Sequence, residues 1–130
     1  MTAARELRIA LTVADYQQCL SFYRNVIGLP LLQEWPSAEG RGALLSIPSA
    51  TLEILDEGHA SWVDQVEVGR RVSGPVRLAA QFQELEAVMA AAASAGATLL
   101  RGPVQMPWKD TNARLVGPDG LHLTLFKRPD

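Results

Sequence analysis

Arg8-Ile-Ala-Leu-Thr-Val-Ala-Asp15 and Arg77-Leu-Ala-Ala-Gln-Phe-Gln-Glu84 are two versions of one stretch. In each, apolar residues alternate with small or polar ones and the run ends on an acid. That alternation has the period of a β-strand, and an acid at its end is a helix-start signal. Arg8 maps onto Arg77 and Val13 onto Phe82, both 69 residues on, and Gly28 maps onto Gly96, 68 residues on. The chain is therefore built twice. A repeat sets equivalent residues of two halves against each other, and a site is expected where they meet.

Outward from the first stretch, a strand is expected over 7–13. Asp15, with Gln18 three residues on, is a capping-box-like start. Leu20, Phe22, Tyr23 and Ile27 give the following helix an apolar stripe, and Gly28 stops it. Strands are expected over 30–35, 42–47 and 51–56, with turns between them. The segment 57–74 reads as irregular and links the halves. A strand over 75–81 and an alanine-rich helix over 84–95 follow, the helix burying Leu85, Val88, Met89 and Ala92. The last strands are expected over 98–101, 112–116 and 121–126, with a Pro118-Asp-Gly turn before the final one. No low-complexity linker intervenes. One domain over 1–130 is expected, with module one at about 5–57, the link at about 58–74 and module two at about 75–128.

Composition narrows the function classes. A chain of 130 residues suits one domain with one core. The formal charge of −2 and the lack of any block of five like charges argue against a nucleic-acid or anionic-membrane partner. No stretch approaches the ~20 apolar residues of a membrane span. The N-terminus lacks an apolar signal core, and the single cysteine, Cys19, allows no internal disulfide. Both point to a reducing cytoplasm. Cys19 falls inside the first helix and reads as a packing residue.

Several stretches resemble the vicinal oxygen chelate superfamily, which includes glyoxalase I, the bleomycin-resistance proteins and the extradiol dioxygenases. They are Val13-Ala-Asp15, Phe22-Tyr-Arg-Asn-Val-Ile-Gly-Leu29, Leu52-Glu-Ile-Leu55, Ala95-Gly-Ala, Pro107-Trp and Gly117-Pro-Asp-Gly-Leu-His-Leu-Thr-Leu-Phe126. Their order and spacing span nearly the whole chain. The resemblance implies an α+β fold of two βαβββ modules in tandem, forming a curled mixed sheet around a cleft, and a side-by-side homodimer. It does not imply one reaction, because the fold hosts several.

Strand alternation indicates which residues share the cleft face. On the first strand these are Arg8, Ala10 and Thr12. Thr51, Glu53 and Leu55 share it by the same logic, as do Arg77, Ala79 and Gln81, and His122, Thr124 and Phe126. The resemblance further implies four metal-ligand positions, which here are Arg8, Glu53, Arg77 and Thr124. Only Glu53 is a metal donor, since a guanidinium has no lone pair to give. Even with His122 recruited there are two donors, where about three are needed. No metal and no cofactor are therefore expected.

Two arginines and one carboxylate leave one net positive charge. On the functional reading, this excess recognises a carboxylate or phenolate. On the structural reading, the group is an Arg–Glu–Arg cluster, or arginines that snorkel outward. Arg8, at a strand start, favours the second reading, and Arg77 is the stronger site residue. His122 either donates to a ligand and moves protons, or is one satisfied polar residue of an amphipathic strand. His59 reads as a solvated residue of the link. Trp35, Trp62 and Trp108 either stack on a planar ligand at the cleft mouth or pack at an interface, with Trp108 the best ligand contact.

Two functions compete. One is a small-molecule binding protein similar to the drug-sequestering, antibiotic-resistance members, taking an aromatic or anionic compound without turnover. Its ligand-binding set is Arg8, Thr12, Glu53, Arg77, Gln81, Trp108, His122 and Thr124. The other is an isomerase, epimerase or lyase of the same fold with Glu53 or His122 as general base. A metal-dependent lyase or dioxygenase is disfavoured by the missing ligands.

Overall fold

The structure, a computed structural model, describes residues 3, 5, 6, 8–36, 39–47 and 49–130. Its second half forms the repeat unit in full. β3 (Arg77–Gln81) leads into α3 (Leu85–Ser94), and β4 (Thr98–Gln105), β5 (Thr111–Val116) and β6 (His122–Lys127) follow. The strands lie in the order β3-β6-β5-β4, with β3 parallel to β6 and the other pairs antiparallel. The Pro118-Asp-Gly turn closes through Gly117 N–H to Leu121 C=O at 2.9 Å.

Alternation assigns the faces as the sequence indicates. Leu78, Ala80, Leu115, Leu123 and Leu125 turn toward α3, whose Leu85, Val88, Met89 and Ala92 meet them. Phe22 and Tyr23 from the first half complete this core. α1 (Tyr16–Ser21) starts at Asp15, whose side chain accepts from Gln18 N–H at 3.0 Å, and runs into a π-helical turn over Phe22–Val26. Cys19 is buried, and that burial raises its thiol pKa. Polar and close backbone contacts also tie the halves. Tyr23 Oη donates to Asp119 Oδ2 at 2.9 Å. Gly96, at φ +99°, lets α3 end where an added Cβ would stand 2.6 Å from Gln18 Nε2.

The α+β class stands, but the first module is less regular than expected. β1 (Leu31–Pro36) and β2 (Arg41–Leu45) pair as a separate two-stranded sheet. Residues 8–13 and 51–56 form no strand, and Leu7 lies outside the described residues. Their alternation has a partner-free consequence: Ile9, Leu52 and Ile54 are 52%, 73% and 85% exposed. A period of two tells which residues would share a face, but it supplies no neighbouring ladder of hydrogen bonds.

The segment read as irregular contains a helix, α2 (Glu57–Glu67). Asp56 caps it, accepting from His59 N–H at 2.9 Å. Its buried residues are Val63, Asp64 and Glu67. Two of those three are acids, a residue type that is rarely buried unless paired, so the inward face mixes Val63 with two carboxylates.

Tyr23→Phe should lower unfolding free energy by about 1.5–3 kcal/mol, the range for a hydrogen bond to a charged acceptor. Urea titration should show a lower midpoint at unchanged slope.

Candidate functional site

The face of the four-stranded sheet opposite the core carries Arg77, Asn112, Arg114, His122 and Thr124. The register places Arg114 beside Thr124 and Arg77 beside His122. None of the strands β3 to β6 contains an acid, while together they carry Arg77, Arg101, Arg114 and Lys127. The counter-charge comes from α2.

Arg114 is fully buried, at 0% exposure, so its charge must be matched at close range. Its Nε donates to Glu67 Oε1 at 3.0 Å and lies 3.3 Å from Thr124 Oγ1. Its Nη2 sits 3.0 Å from Asp64 Oδ1 and 2.9 Å from Glu67 Oε1. Those two contacts pair charge, although neither carboxylate lies in line with an Nη2 proton. Glu67 also accepts from Thr124 Oγ1 at 2.7 Å and from Asn112 Nδ2 at 3.0 Å. Asn112 Oδ1 is buried without a partner.

Asp64 faces two ways. Besides Arg114, it accepts from Val72 N–H at 2.8 Å, Ser73 N–H at 2.9 Å, Ser73 Oγ at 2.9 Å and Arg71 Nη1 at 3.0 Å. Burial would raise its pKa, but the Ser73 and Val72 amides, the Ser73 hydroxyl and Arg71 outweigh this and hold it well below 3.8. Arg71 also bonds the Ser73 carbonyl and pairs with Glu57 at 2.8 Å. Those acids raise its pKa further.

Arg77 is 14% exposed and donates to Thr124 Oγ1 at 2.9 Å. Its carboxylate neighbour is Glu53, 3.5 Å away and 70% exposed. His122 Nδ1 lies 3.4 Å from Arg114 Nη1. A guanidinium only donates, so Nδ1 must accept and the ring proton belongs on Nε2. Burial lowers the His122 pKa, and the Arg114 charge adds to the shift.

The structure therefore brings together Arg77, Glu53, His122 and Thr124 of the expected set. Arg8 pairs at 2.6 Å with Glu6, both exposed, and does not join them. Thr12 lines a separate groove of about 330 Å³ with Ile9, Leu11, Val76 and Leu121. Gln81 is exposed at the end of β3. Trp108 lies in the turn between β4 and β5, its ring 5.6 Å from that of Trp62 on α2, and His59 lies 5.5 Å from Trp62. Asn112, Arg114, Asp64 and Glu67 were not singled out by the sequence reading. The alternation in Asn112-Ala-Arg-Leu115 carries the signal for the first two, since it sets them on the Thr124 face. Nothing local marks the two acids.

A family model for the glyoxalase/bleomycin resistance protein/dioxygenase superfamily matches residues 7–125. The chain belongs to this superfamily. Among solved structures, it is similar in fold to TnmS3, an antibiotic binding protein from Streptomyces sp. CB03234. The two share 20% identity over 99% of this chain and 100% of that one, with a TM-score of 0.61. Hypothetical protein SA1046 from S. aureus is 16% identical over 97% and 95% of the two chains, at TM-score 0.66. A glyoxalase-related enzyme from Fulvimarina pelagi is 19% identical over 97% and 90%, at 0.59. Comparison with curated proteins finds no match.

The superfamily's metal-ligand positions do not fit a divalent ion here. Arg77 donates to Thr124 at one pair of them, Glu53 stands beside that arginine, and Arg8 is elsewhere. Among the described residues, no group of three or more His, Cys, Asp or Glu is placed to hold a metal.

Replacing Asp64 with Asn leaves Arg114 and Arg71 short of charge and should cost about 3–5 kcal/mol at pH 7. The sign with pH follows from its lowered pKa. Its contribution is complete above about pH 4 and is lost as pH falls through the folded value. Urea unfolding of the wild type should weaken below about pH 4, and Asp64→Asn should lack that component of the decline.

Proposed function

We propose that the protein binds a small organic anion on the Arg77 face of β3 and β6, and that it does so without a metal ion. The observation that carries this reading is Arg77. It is a mostly buried guanidinium whose carboxylate neighbour is solvated and 3.5 Å away. A solvated partner neutralises a charge weakly, which leaves Arg77 charge to offer a ligand. His122 adds a hydrogen-bonding group beside it. Trp62 and Trp108, 45% and 40% exposed, pack on each other at the far end of the sheet, beyond the Thr111–Lys127 pair, and belong to a different surface. The fold likeness to an antibiotic binding protein supports small-molecule binding.

The exposed apolar side chains of Ile9, Leu52 and Ile54 favour a homodimer that covers them. No described helix is long and apolar enough to cross a membrane, and the free, buried Cys19 suits a cytoplasmic setting.

A second reading rests on His122. Burial and the Arg114 charge lower its pKa, which favours the neutral form a general base requires. Glu53, beside Arg77, is the other base of this enzymatic reading.

Binding of benzoate, measured by calorimetry, tests the first reading. Arg77→Met should weaken it about tenfold or more, equal to about 1.4 kcal/mol. Unchanged affinity would overturn the role of Arg77. Glu53→Gln should leave binding largely intact. Native mass spectrometry of the protein as purified should show a dimer without a stoichiometric divalent ion, and finding that ion would overturn metal independence.

A further inference from the structure

We propose that Glu67 on α2 occupies, in the free protein, the place of a ligand carboxylate, and that a dianionic organic ligand reaches Arg114 by displacing α2 as a lid. The inference rests on the small-anion reading above and locates a second, deeper part of its site.

The contacts divide unevenly. Asp64 holds Val72, Ser73 and Arg71, and Arg71 holds Glu57. All of these belong to α2 or to the loop that follows it. The helix and residues 71–73 are thus bound to each other and can move as one piece. What joins that piece to the sheet is different in kind. Glu67 supplies contacts to Arg114, Asn112 and Thr124, and Asp64 adds one to Arg114. Arg101 donates to the Val66 carbonyl at 3.3 Å, and Trp62 leans on Trp108. Val63, at 8% exposure, is the one apolar side chain of α2 counted among its buried residues. An isolated helix of this length is marginal in water, so α2 relies on charge to stay docked.

The surface beneath it is made for an anion. With α2 lifted, Arg77 and Arg114 flank Thr124, Asn112 offers an amide donor, and the strands contribute no acid. One carboxylate can replace another there while the buried cation stays paired. A neutral ligand would leave Arg114 uncompensated. Two guanidiniums on one threonine select a ligand with two negative charges. Gly69, at φ +93°, and Gly74 lie on the loop beyond α2, where backbone rotation meets the least steric resistance.

Phthalate is the probe, with benzamide as neutral control and amide hydrogen exchange as the first readout. An ordinary ligand protects what it touches. Here saturating phthalate should speed exchange in residues 57–67 while slowing it in β5 and β6, and benzamide should do neither. Glu67→Gln removes the internal competitor and should tighten phthalate binding about tenfold, because the fraction of open protein rises. The exchange measurement uses the wild type and stands whether or not that variant folds. If phthalate or benzoate binds through Arg77 while α2 stays protected, and Glu67→Gln binds no tighter, the lid is overturned and the anion-binding reading survives. If neither compound binds the wild type or a natively folded Glu67→Gln, both are overturned.

Discussion

Arg114 carries a full charge at zero exposure, and the rest of the site is arranged around that fact. Such a charge is tolerated only with counter-charge at contact distance. The strands around it have none to give, so the acids must come from elsewhere in the chain, and α2 brings them. This requirement explains why α2 docks with Asp64 and Glu67 inward. It also explains why Thr124, on a strand face that would otherwise be open, is buried, and why His122, partly buried beside Arg114, has a lowered pKa. The loop over 71–73 is ordered by the same acids, through the Val72 and Ser73 amides.

That arrangement divides the chain into what could be read from its sequence and what could not. The second module was legible because its strands alternate, its helix is alanine-rich and Gly96 ends it. All three signals are local. In the first module, residues 8–13 and 51–56 alternate just as clearly yet form no strand, because pairing depends on a neighbour that local pattern does not contain. α2 was missed for a different reason. A helix is found by its apolar face, and this one buries acids. Of the site, Arg77, Glu53, His122 and Thr124 followed from alternation and the repeat. Arg8 did not, since its strand is not formed and Glu6 pairs with it instead. Arg114 was within reach of the same alternation, but a lone arginine in an otherwise apolar run, Ala113-Arg-Leu-Val116, reads as a solvated side chain until a buried acid is known to face it.

Of the four positions where the resemblance implies metal ligands, Glu53, Arg77 and Thr124 come together here and Arg8 does not, and their chemistry is not that of a cation site. A guanidinium donating to a hydroxyl cannot coordinate a cation, but it can receive an anion. Inverting the charge of a site in this way leaves the core face, with Leu78, Ala80, Leu123 and Leu125, untouched. Strand alternation separates the two faces, so one can change its chemistry without disturbing the other. The fold is thus shared with proteins of different activity, and what this chain does has to be argued from Arg77, Arg114 and their partners alone.

Stability alone does not account for the ionic contact beneath α2. Apolar side chains of similar volume in place of Asp64, Glu67 and Arg114 would hold a helix on a sheet as well or better, because no charges would need to leave water. An apolar seam, however, cannot be exchanged for a water-soluble anion. A carboxylate can be substituted by any other carboxylate that fits. α2 is also internally tied to its own following loop, so releasing Glu67 and one Asp64 contact removes the ionic part of its docking and leaves the Arg101–Val66 bond, the Trp62–Trp108 contact and Val63 to hold it. Docking through charge therefore trades stability for replaceability, and among the known uses of buried ionic groups a switch suits that trade best.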